Sequence, residues 1–549
     1  MTKNLPSRRE FLQHGSATLA LCGAASVAGV VYGDDPNAKQ SATIPRQAVA
    51  CSRQEAGEAA RDILRQGGNA IDAAAAALIV QCVIEPSNVG LGGYGGSMVV
   101  YRSKTNRVHA IDFTARAPRN FDPDSFNETS ARRGYLAVGV PGVVAGIDLA
   151  LREHGTLPFT KVAASALALA ENGITVTPRL ALTFESLKDM DQASRRAFFP
   201  HGVPAQGSTW AQPDLARLIR RLGDEGPASF YAGEIAAKIT EQVQAGGGTL
   251  AADDFHGFRA TKVEPLHINF RGYGLYTPPP PAAGLTTLSI LKTLEQFDLA
   301  EFHPTDPRYI ELFVGASNLA WAERSQYLGD PDFAKPPIED LLSEQRAAAR
   351  AEILRTGTPT APPQPEGPAH TVNIVVVDKD QNVVSWTATN GDEYGAHVAI
   401  EGLGLILGHG MSRFDFDPRH PNYPAGGKRP QHNMAPLVVL RDGKPYAGLG
   451  MPGGPRIVTV TAQVAANLIE FKKTPQQAVA APRFHTDGQE PIQVSVDMPA
   501  GVMDELRRRG RRVEFLYPLG GEANAVVVDS QSGRVDAAAS KASTGVLVF

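Results

Sequence analysis

Two runs of β-branched residues, TVNIVVV from Thr371 and VVSWTATN from Val383, are separated only by DKDQN. The joining residues are turn formers and leave no room for a helix, so the runs must pair as a hairpin buried on at least one face. Ahead of it lies TGTPTAPPQPEGPAH, residues 356–370. Its prolines fit neither a helix nor a central strand, and it reads as an exposed linker. Thr371 therefore stands where linker meets strand. A threonine hydroxyl is a poor nucleophile without a base beside it. The nearest base for a residue freed by cleavage is its own α-amine, which titrates at about 7.7 to 8.0. Taken alone, the commoner reading of such a threonine is a β-branched residue opening a strand.

The rest of the chain sets the context for that hairpin. Of 549 residues, 43% are apolar and 20% charged, with a net charge of −4. That balance describes a globular protein and gives no reason to expect a nucleic-acid partner. Arg8-Arg9, followed by Phe11-Leu12 and a modest apolar run, reads as a twin-arginine export signal over residues 1–35, which places the mature protein in the periplasm. A lipoprotein reading at Cys22 is disfavoured by the bulky Leu21 before it. Cys51 and Cys82 lack C-x-x-C or metal-ligand spacing and read as buried free thiols. No later segment is long and apolar enough to predict a membrane span.

From Ala48 the sequence predicts a short strand, an amphipathic helix, a Gly-Gly stop, an alanine-rich helix and a proline break. EPSNVGLGGYGGSMVVYRSK follows as a glycine-rich loop feeding a strand. Because no helix opens after the glycines, this is not a dinucleotide fingerprint. Residues 141–354 read as mostly helical. Strand pairs recur at PLVVLRDGKPYAGLGMP and NAVVVDSQSGRVDAAAS, so strands of both halves are expected to share one α/β (α+β) core. His409, His420 and His432 lie in loops without ligand spacing, so neither metal nor cofactor is expected, and no G-x-S-x-G elbow is present.

The segments GGNAIDAAAAA, PSNVGLGGYGGSM, VGVPGVVAGIDLAL, GPASFYAGEIA, RGYGLYTPPPPAAG, ERSQYLGDPDF, VVVDKDQNVVS, GKRPQHNMAP, MPGGPRIV and APRFH occur in one order. With them the chain, from about Arg46 to near its end, resembles the gamma-glutamyltranspeptidase family of N-terminal-nucleophile hydrolases. The resemblance implies a four-layer αββα sandwich. It places the nucleophile at Thr371, seven positions before Asp378, with cleavage between His370 and Thr371. A large subunit, residues 36–370, and a small catalytic one, residues 371–549, would then stay together. The supporting threonine falls on Thr389, and the glycines whose N–H groups receive the oxyanion fall on Gly453 and Gly454.

Where the family holds an amino-acid acyl group, the pattern breaks. Its carboxylate-binding arginine is replaced by Thr114, with Arg116 two residues on; its amine-binding aspartate is replaced by Arg413. Its paired serines become His432-Asn433, and its asparagine after the supporting threonine becomes Gly391, beside Asn390. Arginine in place of an acid turns attraction for an ammonium into repulsion, roughly 4 kcal/mol at 4 Å and an effective dielectric near 20 before solvation. A γ-glutamyl group should bind poorly unless Glu393, Asp392 or Asp415 takes over, and Arg413 suits an anionic acyl group. The expected reaction is acyl transfer from a small-molecule amide to water or an amine. The rival readings are an acylase or amidase for a non-glutamyl group, such as a β-lactam side chain or a small oxo acid, and a non-catalytic binding homologue. The presence of Thr371, Thr389, Gly453 and Gly454 argues against the last.

Overall fold

The computed structural model describes residues 44–123, 126–357, 359–362, 370–516, 519 and 521–549. The export signal and most of the proline-rich linker lie outside the described residues. In chain order the main strands are β1 (Ala48–Cys51), β2 (Gly95–Arg102), β3 (Arg107–Asp112), β4 (Thr261–Val263), β5 (Leu266–Phe270), β6 (Tyr273–Thr277), β7 (His370–Val377), β8 (Val383–Gly391), β9 (Leu437–Arg441), β10 (Lys444–Gly450), β11 (Asn524–Val528), β12 (Val535–Ala539) and β13 (Gly545–Val548). They form two antiparallel sheets, ordered β13-β1-β7-β8-β2-β3-β4 and β12-β11-β10-β9-β6-β5. Strands from both sides of the linker thus share each sheet, and every hydrophobic cluster draws on both halves.

Strand periodicity assigns the layers, because successive side chains point to opposite faces. Val375, Val377 and Val383 of the first sheet meet Val438, Leu440 and Val526 of the second in a core between the sheets. Val372, Ile374, Val376 and Trp386 point the other way, onto helices α1 (Gln54–Arg65) and α2 (Ala70–Ile84). The second sheet's outer face, including Leu437, Val439 and Leu449, packs on α3 (Gly284–Leu294), α4 (Pro307–Tyr327) and α5 (Arg456–Ile469). The result is the αββα sandwich that the resemblance implied. The hairpin expected to be buried on at least one face is buried on both.

The hairpin turn is anchored to the helical layer. Asp378 accepts from Ala70 N at 2.9 Å, and also from the backbone and side-chain amides of Asn382 at 2.9 and 2.8 Å. One carboxylate thereby fixes the turn and caps the first residue of α2, which sets where along the helix the hairpin begins. Asn69 and Asp72 complete that helix start as a capping box.

The linker needs one correction. Its described part is not fully exposed: Ala361 is buried and donates its N–H to Gly488 O at 2.8 Å, while Pro359 O accepts from Asn318 Nδ2 at 2.8 Å. Two polar partners on neighbouring elements explain the packing. Cys51 and Cys82 are buried free thiols, and burial pushes the Cys51 thiol up to about 12. Among the described residues no helix is long and apolar enough to cross a membrane.

Candidate active site

Along the inner face of the central hairpin the side chains change from apolar to polar. On β7 the order toward the linker is Val377, Val375, Asn373, Thr371; on β8 it is Val383, Ser385, Thr387, Thr389. Pairing sets Thr371 opposite Thr389 and Asn373 opposite Thr387. Asn373 Nδ2 donates to Thr387 Oγ1 at 3.0 Å, and Ser385 Oγ to Leu449 O at 2.9 Å. From the second sheet Asn524 Nδ2 donates to Asn373 O at 2.9 Å. Gly450 leaves room for this, since a Cβ there would stand 2.4 Å from Asn373 Nδ2. A buried polar network thus locks the two sheets together one residue pair behind the threonines. Asn373 and Asn524 were not singled out from sequence, although the T-x-N and S-x-T-x-T alternation carried the signal.

Thr371 Oγ1 donates to Thr389 Oγ1 at 3.3 Å, and Gly391 N donates to the same oxygen at 2.8 Å. With two donors already received, the single proton of Thr389 goes to the carbonyl oxygen of His370, the group attached to Thr371. The strand pairing slips at this point, with Gly391 rather than Asn390 opposite His370. One hydroxyl therefore touches both the candidate nucleophile and the carbonyl beside it.

Thr371, His370, Asn88, Arg179, Pro452 and Glu522 line a cleft of about 640 Å3. Pro452 leads into Gly453 and Gly454, whose φ angles are 149° and 58°, directly before α5. A Cβ on Gly453 would sit 3.0 Å from Gly521 N and from Met451 Cε. The turn thus needs glycine for its conformation and for space.

The residues expected to hold an acyl group divide into two sets. Thr114 and His432 are brought together and closed off. Thr114 Oγ1 donates to Asp112 Oδ1 at 2.6 Å and lies 3.1 Å from His432 Nε2, and the two residues are 2% and 4% exposed. His432 Nδ1 accepts from Met434 N at 3.3 Å, which leaves the proton of the neutral ring on Nε2. Burial pushes His432 down to about 3. Arg429 seals the cluster with ion pairs to Asp112 at 2.6 Å and Asp330 at 2.5 Å. Arg116 faces elsewhere, donating to Gly427 O at 3.0 Å and pairing with Asp332 at 3.6 Å.

Arg413 belongs to the open set. It is half-buried on a single helical turn, Met411–Arg413, and donates through Nη2 to Gly391 O at 2.8 Å. Among the described residues no carboxylate forms an ion pair with it. Gly391, at φ 97°, is required there, because a Cβ would lie 2.6 Å from the His409 ring. His409 fills the space in which the resemblance called for an asparagine side chain, and burial pushes it down to about 3. Asn390 cannot substitute. Its Nδ2 donates to Pro86 O at 2.8 Å, which turns the amide into the glycine-rich loop.

Asn433 is half-buried and accepts from Arg324 Nη2 at 3.2 Å. Sequence reasoning overlooked Arg324, which is 3% exposed, lacks a carboxylate partner among the described residues, and is pushed down to about 10 by burial. Burial raises both Asp392 and Glu393, and Asp415 is drawn toward His420 at 3.8 Å.

The model of the family described as gamma-glutamyltranspeptidase matches residues 56–548. The chain is 33% identical to the glutathione hydrolase proenzyme of Escherichia coli K12, covering 85% of each chain. It is 32% identical to the acylase ACY 1 proenzyme of Pseudomonas sp. V22, covering 89% of this chain and 91% of that one. The crystal structure of the cephalosporin acylase from Bacillus halodurans superposes with a TM-score of 0.85 at 26% identity, over 94% of this chain and 99% of the other. With its paired sheets and outer helices of the N-terminal-nucleophile hydrolase type, the chain belongs to the gamma-glutamyltranspeptidase family of enzymes.

Proposed function

We propose that this chain is an exported, self-cleaving amidohydrolase or acyltransferase whose nucleophile is Thr371 and whose acyl group is anionic but lacks the α-amine of a γ-glutamyl group. The observation that carries the chemistry is the Thr389 hydroxyl, which accepts from Thr371 and donates to the carbonyl of His370. In the first reaction Thr371 Oγ1 attacks that carbonyl carbon, the C–N bond breaks, and the nitrogen takes a proton to become the new α-amine. Water then hydrolyses the resulting ester, leaving residues 36–370 and 371–549 as separate chains. In turnover the free amine takes the hydroxyl proton as Oγ1 attacks an amide carbonyl, and passes it to the leaving amine. The N–H groups of Gly453 and Gly454 receive the oxyanion, and water or an amine resolves the acyl ester.

For the acyl group, the supporting observation is the Arg413 guanidinium beside Gly391, which forms no ion pair with a carboxylate among the described residues and stands where the resemblance expects the amine-binding aspartate. Thr114 and His432, in contact with each other, replace residues with which the resemblance expects the family to hold a carboxylate. The similarity to proteins named acylases points the same way. A matched pair of anilides decides the matter, because glutaryl and γ-glutamyl nitroanilide differ only in the ammonium. Glutaryl nitroanilide should show the higher kcat/KM. A preference for γ-glutamyl would overturn the acyl assignment while leaving the Thr371 chemistry standing. Residues 1–35 are proposed to direct twin-arginine export, tested by fractionating cells that carry Arg8→Lys with Arg9→Lys.

A further inference from the structure

The residue ahead of the proposed scissile bond is held by a side chain that the bond-breaking chemistry does not itself require. His370 Nδ1 lies 3.2 Å from Asn88 Oδ1. The amide's orientation follows from its other end, where Asn88 Nδ2 donates to Glu85 Oε1 at 3.2 Å. Its oxygen therefore faces the imidazole, and Nδ1 carries the proton. Glu85 is fixed in turn by Ser52 Oγ at 2.6 Å and by an ion pair with Arg53 at 2.8 Å. The backbone of Asn88 grips the other strand, its carbonyl accepting from Asn390 N at 2.9 Å. One loop residue thus holds β7 through the His370 ring and β8 through Asn390, on either side of the register slip that presents the His370 carbonyl to Thr389.

We infer that Asn88 is a positioning residue for chain cleavage: by fixing the His370 ring it holds the scissile carbonyl on the Thr389 hydroxyl and in front of Thr371 Oγ1. This rests on the self-cleavage reading above. An attack of this kind depends on a carbonyl held in one orientation, and a peptide whose preceding side chain swings freely spends less time there. The charge around the ring fits a neutral donor. Arg179 and Arg413 approach His370, Arg456, Glu522 and Lys541 share its cleft, and Glu85 stands behind Asn88. Burial first, then Arg179 and Arg413, push His370 down to about 4, so the ring stays neutral across the working range. Once the bond is cut, His370 ends the large subunit and Asn88 has no further part in positioning that carbonyl.

The test follows cleavage of full-length precursor made by cell-free synthesis, as the appearance of a fragment beginning TVNIVV. Asn88→Ala and His370→Ala should each slow cleavage about tenfold or more. The double variant should be no slower than the slower single one, since each removes the same contact. Wild-type cleavage rates in Asn88→Ala, or multiplied losses in the double variant, overturn the inference. A wild-type chain that stays whole overturns the self-cleavage reading instead, so the two failures are distinct. If Asn88→Ala does not fold, Asn88→Asp serves. A carboxylate against the imidazole raises the pKa of His370 and should give cleavage a pH dependence between about pH 5 and 8 that wild type lacks. An unchanged profile in that variant counts against Asn88.

Discussion

The proposed nucleophile wall and the proposed acyl wall are built differently. On the nucleophile side, the contacts come from one hairpin and one turn: Thr371 with Thr389, Thr389 with the His370 carbonyl, and the Gly453–Gly454 turn before α5. On the acyl side, the contacts join residues far apart in sequence, such as Thr114 with His432 and Arg429 with Asp112 and Asp330. Strand register fixes the first wall and would hold it whatever the acyl group. The second depends on which long-range polar partners close it.

The comparison breaks first if the nucleophile wall is dispensable. Thr371→Ala should give a single uncut chain and turnover lower by about a thousandfold or more, read by gel and by anilide hydrolysis. Uncut but active wild-type protein would remove the special status of this wall. Gly453→Ala comes next, with a loss in kcat of about a hundred- to a thousandfold. That residue must keep φ at 149°, and its new Cβ would press on Gly521 N at 3.0 Å. A kcat within a few fold of wild type would show that the oxyanion is held elsewhere.

A third variant set sharpens the contrast by crossing the acyl wall. Arg413→Asp with Thr114→Arg would put back the two charges with which the family holds a γ-glutamyl group. The structure changes that design, because Thr114 is enclosed and an arginine there must displace His432. Thr114→Arg alone should therefore mainly destabilise, seen as a lowered Tm, since it buries a new charge. Arg413→Asp with Thr114→Arg and His432→Ser should raise γ-glutamyl nitroanilide kcat/KM by about tenfold, for which about 1.4 kcal/mol suffices. No gain would mean that the clamp's loss is not what sets specificity.

What sequence revealed follows the same division. The strands, the helices and the central hairpin were legible because strand and helix periods, Gly-Gly stops and the DKDQN turn are local signals. The four-layer order and the placing of Thr389 beside Thr371 came from the family resemblance instead. The roles expected of Asn390 and Arg116 were not legible, since side-chain direction there depends on Pro86 O and Gly427 O, which no local pattern announces. The buried Arg324 and the contact of Asn88 with His370 were missed for the same reason: their partners lie 109 and 282 residues away.

The smallest expected effect concerns how the acyl wall is held shut. Burial alone would raise the pKa of Asp112, but Arg429 and the hydrogen bonds from Thr114 outweigh it and hold the carboxyl below its ordinary value of 3.8. A depressed folded-state value means that the carboxylate stabilises the fold fully above the unfolded pKa, and that this contribution is lost as pH falls through the folded one. Near neutral pH, Asp112→Asn should lower Tm by about one to two degrees, a small shift because the melting entropy of a chain this long is large. The difference from wild type should shrink below about pH 4, as the native carboxyl begins to take up its proton. Because Arg429 keeps Asp330, the variant should still fold, and Tm measured from pH 3 to 7 can follow both proteins. A constant difference across that range would mean that the Asp112 charge does not hold the wall, and that the Thr114–His432 contact closes by shape alone.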